Sequence, residues 1–168
     1  MNELKTKNLT LSALLIALTL VILALNSILP ISTLSILTLA SAIIPIAIMR
    51  TSKKNAFMIY ISSTSLGFLI LPKDIVILYG LFFGIYGLIK FYIEKLDNLY
   101  LEIPLKIVFA SIILVIYYFI TKSFIAINLN IERPIYIIIV LALIVFLIYD
   151  YALTILISFY LKKLHNRI

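Results

Sequence analysis

Apolar residues fill six long blocks of this chain, and the polar and charged positions gather in the short gaps between them. A bilayer crossing takes about 20 residues of helix, so blocks of this length predict transmembrane helices. The predicted spans cover about residues 9–29, 31–49, 56–71, 75–93, 105–126 and 134–161. Asn26, Ser27 and Pro30 close the first, and Arg50, Lys53 and Lys54 stop the second. Pro72, Lys73 and Asp74 separate the third from the fourth, and Glu94, Lys95, Asp97 and Glu102 precede the fifth. Pro134 opens the sixth, a first-turn position where its missing N–H costs nothing. The expected fold is all-α: one integral membrane domain over residues 1–168, a polytopic bundle of six transmembrane helices.

Lys5 and Lys7 before the first block raise the alternative of a secretory leader. The apolar core of a leader runs about 7–15 residues to an A-x-A-like site. This block is longer and ends in Asn26-Ser27-Ile28-Leu29-Pro30, so a retained helix is expected.

Composition places the whole chain in the same class. With 64% hydrophobic and 12% charged residues and a mean hydropathy of +1.23, the chain cannot cover an apolar interior with polar surface in water. Six crossings take up most of its 168 residues, so no soluble catalytic domain is expected beside them. There are no cysteines, which removes disulfides, thiol chemistry and thiolate metal sites. The one histidine, His165, stands beside Lys162, Lys163 and Arg167 and reads as a solvated tail residue, so no metal is expected.

Cations alternate with the predicted spans. Lys5, Lys7, Arg50, Lys53, Lys54, Lys90, Lys95, Lys106, Lys162, Lys163 and Arg167 fall at one set of ends, and Lys73, Lys122 and Arg133 at the other. The positive-inside rule then places both termini in the cytoplasm. The net charge of +7 serves topology and anionic headgroups. A nucleic-acid partner would need a contiguous basic face, which the sequence lacks.

Asp150 is the charged residue that interrupts the block between Arg133 and Lys162. An ionisable group at membrane depth costs a few kcal/mol and by default faces a bundle interior. On a helix it shares a face with Thr154 and Ser158, roughly 18 Å from Lys162 and near the midplane. Its expected partners are Lys90 and the hydroxyl run Ser62, Ser63, Thr64 and Ser65 of the third span. Three roles compete: a packing anchor, a substrate contact, and a proton or cation relay. Gly80, Gly84 and Gly87 mark a face for close helix packing, and Ala13, Ala17 and Val21 repeat at four-residue steps along the first span. Paired intramembrane acids, a Ser/His pair and a glycine-rich phosphate loop are all missing from the sequence, so neither an enzyme nor a bound cofactor is expected.

A short basic start running into Leu9-Thr10-Leu11-Ser12-Ala13-Leu14-Leu15-Ile16-Ala17-Leu18 resembles the opening of the S components of energy-coupling factor transporters. Those substrate-binding subunits are six-helix proteins of about this length. Ala13 and Ala17 match the A-x-x-x-A pattern by which their first helix docks on a transmembrane coupling subunit. The resemblance extends over the rest of the chain in length, span number and orientation alone, and it is shared with S-component-like YybS-type bacterial membrane proteins. The connection after the first span is shorter than S components commonly use to cap a substrate.

The resemblance implies a substrate-binding subunit for a vitamin-like micronutrient in the cell membrane, working with separate coupling and ATPase subunits. No substrate residues carry over from that family; the pocket lining expected from the polar and aromatic positions themselves is Asp150, Thr154, Ser62, Ser63, Ser65, Lys90, Tyr79, Tyr86 and Tyr149. The alternative is a non-transport scaffold of a cell-envelope, division or sporulation complex.

Overall fold

The computed structural model describes residues 2–28, 32–124 and 135–165. The Pro30 break, the Pro134 start, Arg133 and Arg167 lie outside the described residues. Six helices follow in order: α1 (Asn2–Ile28), α2 (Thr33–Arg50), α3 (Lys53–Ile70), α4 (Lys73–Glu94), α5 (Leu99–Phe124) and α6 (Ile135–His165). No strand occurs among the described residues. All of these helices except α3 carry a stretch long and apolar enough to cross a membrane. Lys53, Lys54, Asn55 and the hydroxyl run lower the hydropathy of α3, yet it packs against α1, α2 and α4 between two tight turns. The protein is an all-α polytopic membrane protein.

The ends of these helices follow from side-chain chemistry. Ser52 caps α3, its hydroxyl accepting from the Asn55 N–H at 3.2 Å. Pro72, which cannot extend α3, stands at the N-cap of α4. Asn98 caps α5: its side-chain oxygen accepts from the Tyr100 N–H at 3.1 Å, and its carbonyl accepts from Leu101 and Glu102. The fifth helix therefore begins at Leu99 rather than near Leu105, because capping and not hydropathy sets its start. Asp97 makes the preceding turn in the left-handed region, at φ 49°.

Two compact units divide the chain, one comprising residues 1–91 and 153–168, the other residues 92–152. In the first unit, Leu15, Ile43, Ile44, Ala47, Ala56, Ile59 and Leu88 form the packed core of α1 to α4. Lipid is as apolar as these side chains, so close fit rather than water exclusion holds them together. Glycines supply the close approach. A Cβ on Gly80 would meet the Thr64 Cγ2 at 2.8 Å, and one on Gly84 would meet the Tyr60 ring at 2.9 Å, so both face α3. At Gly87 a Cβ would strike Pro45 of α2 at 2.9 Å.

That change of partner has a local cause. Tyr79–Gly84 is a π-helical stretch within α4, and the wider turn resets the helix face before Gly87 arrives. Against α2, Gly87 lies beside the Ser41 carbonyl, the group whose usual helical donor Pro45 lacks.

Candidate functional site

Polar groups inside the first unit form a column across α1, α3 and α4. The π-helical stretch turns the Gly80 carbonyl toward α3, where the Tyr60 hydroxyl donates to it at 2.7 Å. Ser63 and Thr64 both donate to the Tyr60 carbonyl, at 3.0 and 2.9 Å. The Tyr79 hydroxyl lies 3.5 Å from that of Ser63, a pair in which either oxygen can donate. Tyr60 and, from α1, Thr19 are further polar neighbours of Tyr79, and Tyr79, Ser63 and Thr19 are all fully buried.

The hydroxyl run is thus split by helix geometry. Ser63 faces the interior, Ser62 and Thr64 are half-buried, and Ser65 points outward. Many other hydroxyls fold back on their own helices: Ser12 donates to Asn8, Thr19 to Leu15, Thr38 to Leu34 and Ser111 to Ile107.

Lys90 lies further along α4 in the same unit, with 1% of its surface exposed. Its ammonium donates to the Thr154 hydroxyl of α6 at 2.8 Å and sits 6.0 Å from the centre of the buried Tyr86 ring. The methylene stem is packed while the head takes a hydrogen bond and an aromatic face, two ways of offsetting the loss of water. Thr154 itself and Ser158 are exposed, one turn apart on α6.

In the second unit, Asp150 accepts from the Lys106 ammonium at 3.0 Å, and the same ammonium reaches Glu94 at 3.2 Å. The Lys106 side chain is the best buried of the three at 9% exposed, against 15% for Asp150 and 37% for Glu94, which makes it the pivot of the cluster. Tyr149 is buried beside Phe146, the two rings 6.3 Å apart and tilted.

Lys106 is the residue that sequence reasoning missed as a partner for Asp150. With the fifth helix started at Leu105, Lys106 reads as a boundary cation. The Asn98 cap carries the helix back to Leu99 and sets Lys106 about two turns inside it. The signal available in the sequence was Asn98 itself, a capping residue just before an apolar run.

Of the other expected site residues, Ala13, Ala17 and Val21 are exposed along α1, opposite the buried Leu15, Thr19 and Leu23. Asn26, near the end of α1, carries a buried side-chain oxygen with no hydrogen-bond partner among the described residues. No group of three or more His, Cys, Asp or Glu side chains able to hold a metal occurs among the described residues. Compared with protein-family models, curated proteins and solved structures, the chain matches none.

Proposed function

We propose that the chain is a membrane-embedded substrate-binding subunit for uptake of a vitamin-like micronutrient, acting with a separate transmembrane coupling subunit and ATPase subunits. The observation that carries this reading is the two-sidedness of α1. Leu15, Thr19 and Leu23 pack inward at four-residue steps, while Ala13, Ala17 and Val21 repeat the same step on the exposed side. A helix that already has an inner packing face has a second use for a row of small residues, which is close approach to another transmembrane helix. The resemblance of this helix to that of S components points to the same use. The sequence has no nucleotide-binding loop, so energy comes from a partner.

Both termini lie on the cytoplasmic side of the cell membrane in this reading, following the distribution of Lys and Arg over the connections. Ser63, Tyr79, Lys90 and Thr154 are the first unit's polar groups for ligand contact.

Purification from native membranes in mild detergent, followed by identification of co-purifying chains and extracted small molecules by mass spectrometry, tests the proposal. A coupling subunit and ATPases recovered with wild type and lost with Ala17→Leu support it. Recovery of the chain alone, with no vitamin-sized ligand, sinks it.

A second reading, a non-transport scaffold, is favoured by how many interior polar groups satisfy one another: Tyr60 with Gly80, Ser63 with Tyr79, and Lys106 with Asp150. Asp150→Asn separates the two. Ligand lost from a normally stable protein fits a binding role, whereas lowered stability with an unchanged ligand fits an anchor.

A further inference from the structure

One end of the first unit gathers cations from three parts of the chain. Lys7 lies near the start of α1, and Arg50, Lys53 and Lys54 surround the α2–α3 turn. Lys162 and Lys163 are in the last turn of α6. All six are exposed. The first unit's described acid with a described side chain, Asp74, stands at the opposite end, in the first turn of α4.

Two of these parts are fixed to each other. The Arg50 Nε donates to the Tyr160 hydroxyl, and the guanidinium carbon sits 5.5 Å from the centre of the same ring. This clip holds the guanidinium in one plane and joins the end of α2 to the end of α6. An Arg bound through Nε presents its two terminal nitrogens as a fork, the geometry that suits a phosphate. Leu161 separates Lys162 and Lys163 from Tyr160, and Lys163, three residues on, shares the Tyr160 face of α6 and brings its charge to the side of that fork.

Apolar side chains ring the same end. Met49, Phe57, Phe159 and Leu161 are exposed by 37%, 47%, 66% and 47%. Tyrosine and arginine at such a boundary sit at headgroup level, with apolar neighbours at acyl-chain level. A soluble anion would use the cations and gain nothing from this rim.

We infer that the Arg50–Tyr160 clip and its flanking lysines form a binding site for the phosphodiester headgroup of an anionic phospholipid, whose acyl chains lie on the Met49–Phe159 rim. The site is independent of the transport proposal and persists in a scaffold.

The test uses the full chain in phosphatidylcholine vesicles carrying a trace of spin-labelled phosphatidylglycerol or spin-labelled phosphatidylcholine. The motionally restricted fraction gives relative association. Wild type prefers the anionic label. Each headgroup-level cation is worth about five-fold in association with anionic lipid, so Arg50→Gln and, separately, Lys163→Gln each lower the preference by about that factor. Lys73→Gln, at the other end and beside Asp74, removes the same charge and lowers the preference by clearly less than that factor. Soluble glycerol phosphate fails to displace the labelled lipid.

Equal association of the two labels with wild type overturns the inference. So does an equal loss with Lys73→Gln, which makes the effect one of net charge, or displacement by glycerol phosphate, which makes the site one for soluble anions. Should Arg50→Gln fail to fold, Tyr160→Phe keeps the charge, frees the guanidinium and still lowers the preference; unchanged preference in both Tyr160→Phe and Lys163→Gln is the contrary result.

Discussion

Gly80→Ala combined with Thr64→Ser gives the sharpest check on the packing of α4 against α3. The added Cβ would lie 2.8 Å from the Thr64 Cγ2, but 3.8 Å from its Oγ1 and 4.0 Å from its Cβ, so the methyl alone is in the way. Thr64 cannot turn aside freely, because its hydroxyl donates to the Tyr60 carbonyl at 2.9 Å and fixes the rotamer. Overpacking of this kind costs about 1–3 kcal/mol. Replacing a helical glycine returns at most about 1 kcal/mol. The single variant is therefore neutral to destabilised by about 3 kcal/mol. Thr64→Ser removes the obstructing methyl and keeps the hydroxyl, at a cost below about 0.8 kcal/mol. With the clash gone, the double variant is more stable than the two singles predict, by about 1–3 kcal/mol. Reversible unfolding in mixed detergent and dodecyl sulfate, followed by far-ultraviolet circular dichroism, measures all four proteins. Strict additivity refutes the contact and with it the placement of the π-helical stretch on α3.

Other expectations follow from the same geometry. Tyr60→Phe deletes the donor to the Gly80 carbonyl and costs about 0.6–1.7 kcal/mol in the same unfolding assay, the range for hydrogen bonds between membrane helices. Lys106→Met removes the ammonium that pairs with Asp150 and costs about 2–3 kcal/mol, reduced from the fully buried case because Asp150 keeps 15% exposure. Lys106→Met with Asp150→Leu recovers most of that loss, whereas a double variant as unstable as the sum of the singles tells against the pair. Glu94→Gln costs less than about 1 kcal/mol because that carboxylate is 37% exposed. Gly87→Ala, facing the Pro45 ring at 2.9 Å, lowers the unfolding midpoint in dodecyl sulfate, and an unchanged midpoint contradicts the α2–α4 approach.

The helices were legible because the feature that sets them, a long apolar run between charges, is local and large. What escaped the sequence lies where a single residue outweighs a run. Asn98 moved the start of α5 by side-chain capping, and the shift turned Lys106 from a boundary cation into the partner of Asp150. Nothing in the pattern marks the π-helical stretch, so Gly80, Gly84 and Gly87 read as one stripe although they meet two different helices. The hydroxyl run was expected to partner Asp150, but which of its residues turns inward, Ser63 over Ser65, depends on where Tyr79 falls on another helix. These cases share one cause. Hydropathy fixes which segments enter the membrane, whereas pairing inside it is decided by rotation about each helix axis, and a rotation of one residue costs hydropathy nothing. The interior polar groups, Tyr60, Ser63, Tyr79, Lys106 and Asp150, are what supply that cost, because a slip of one residue on either helix strands a buried donor or carboxylate. Together with the close contacts at Gly80, Gly84 and Gly87, they hold the helices at one rotation whether or not a ligand also uses them.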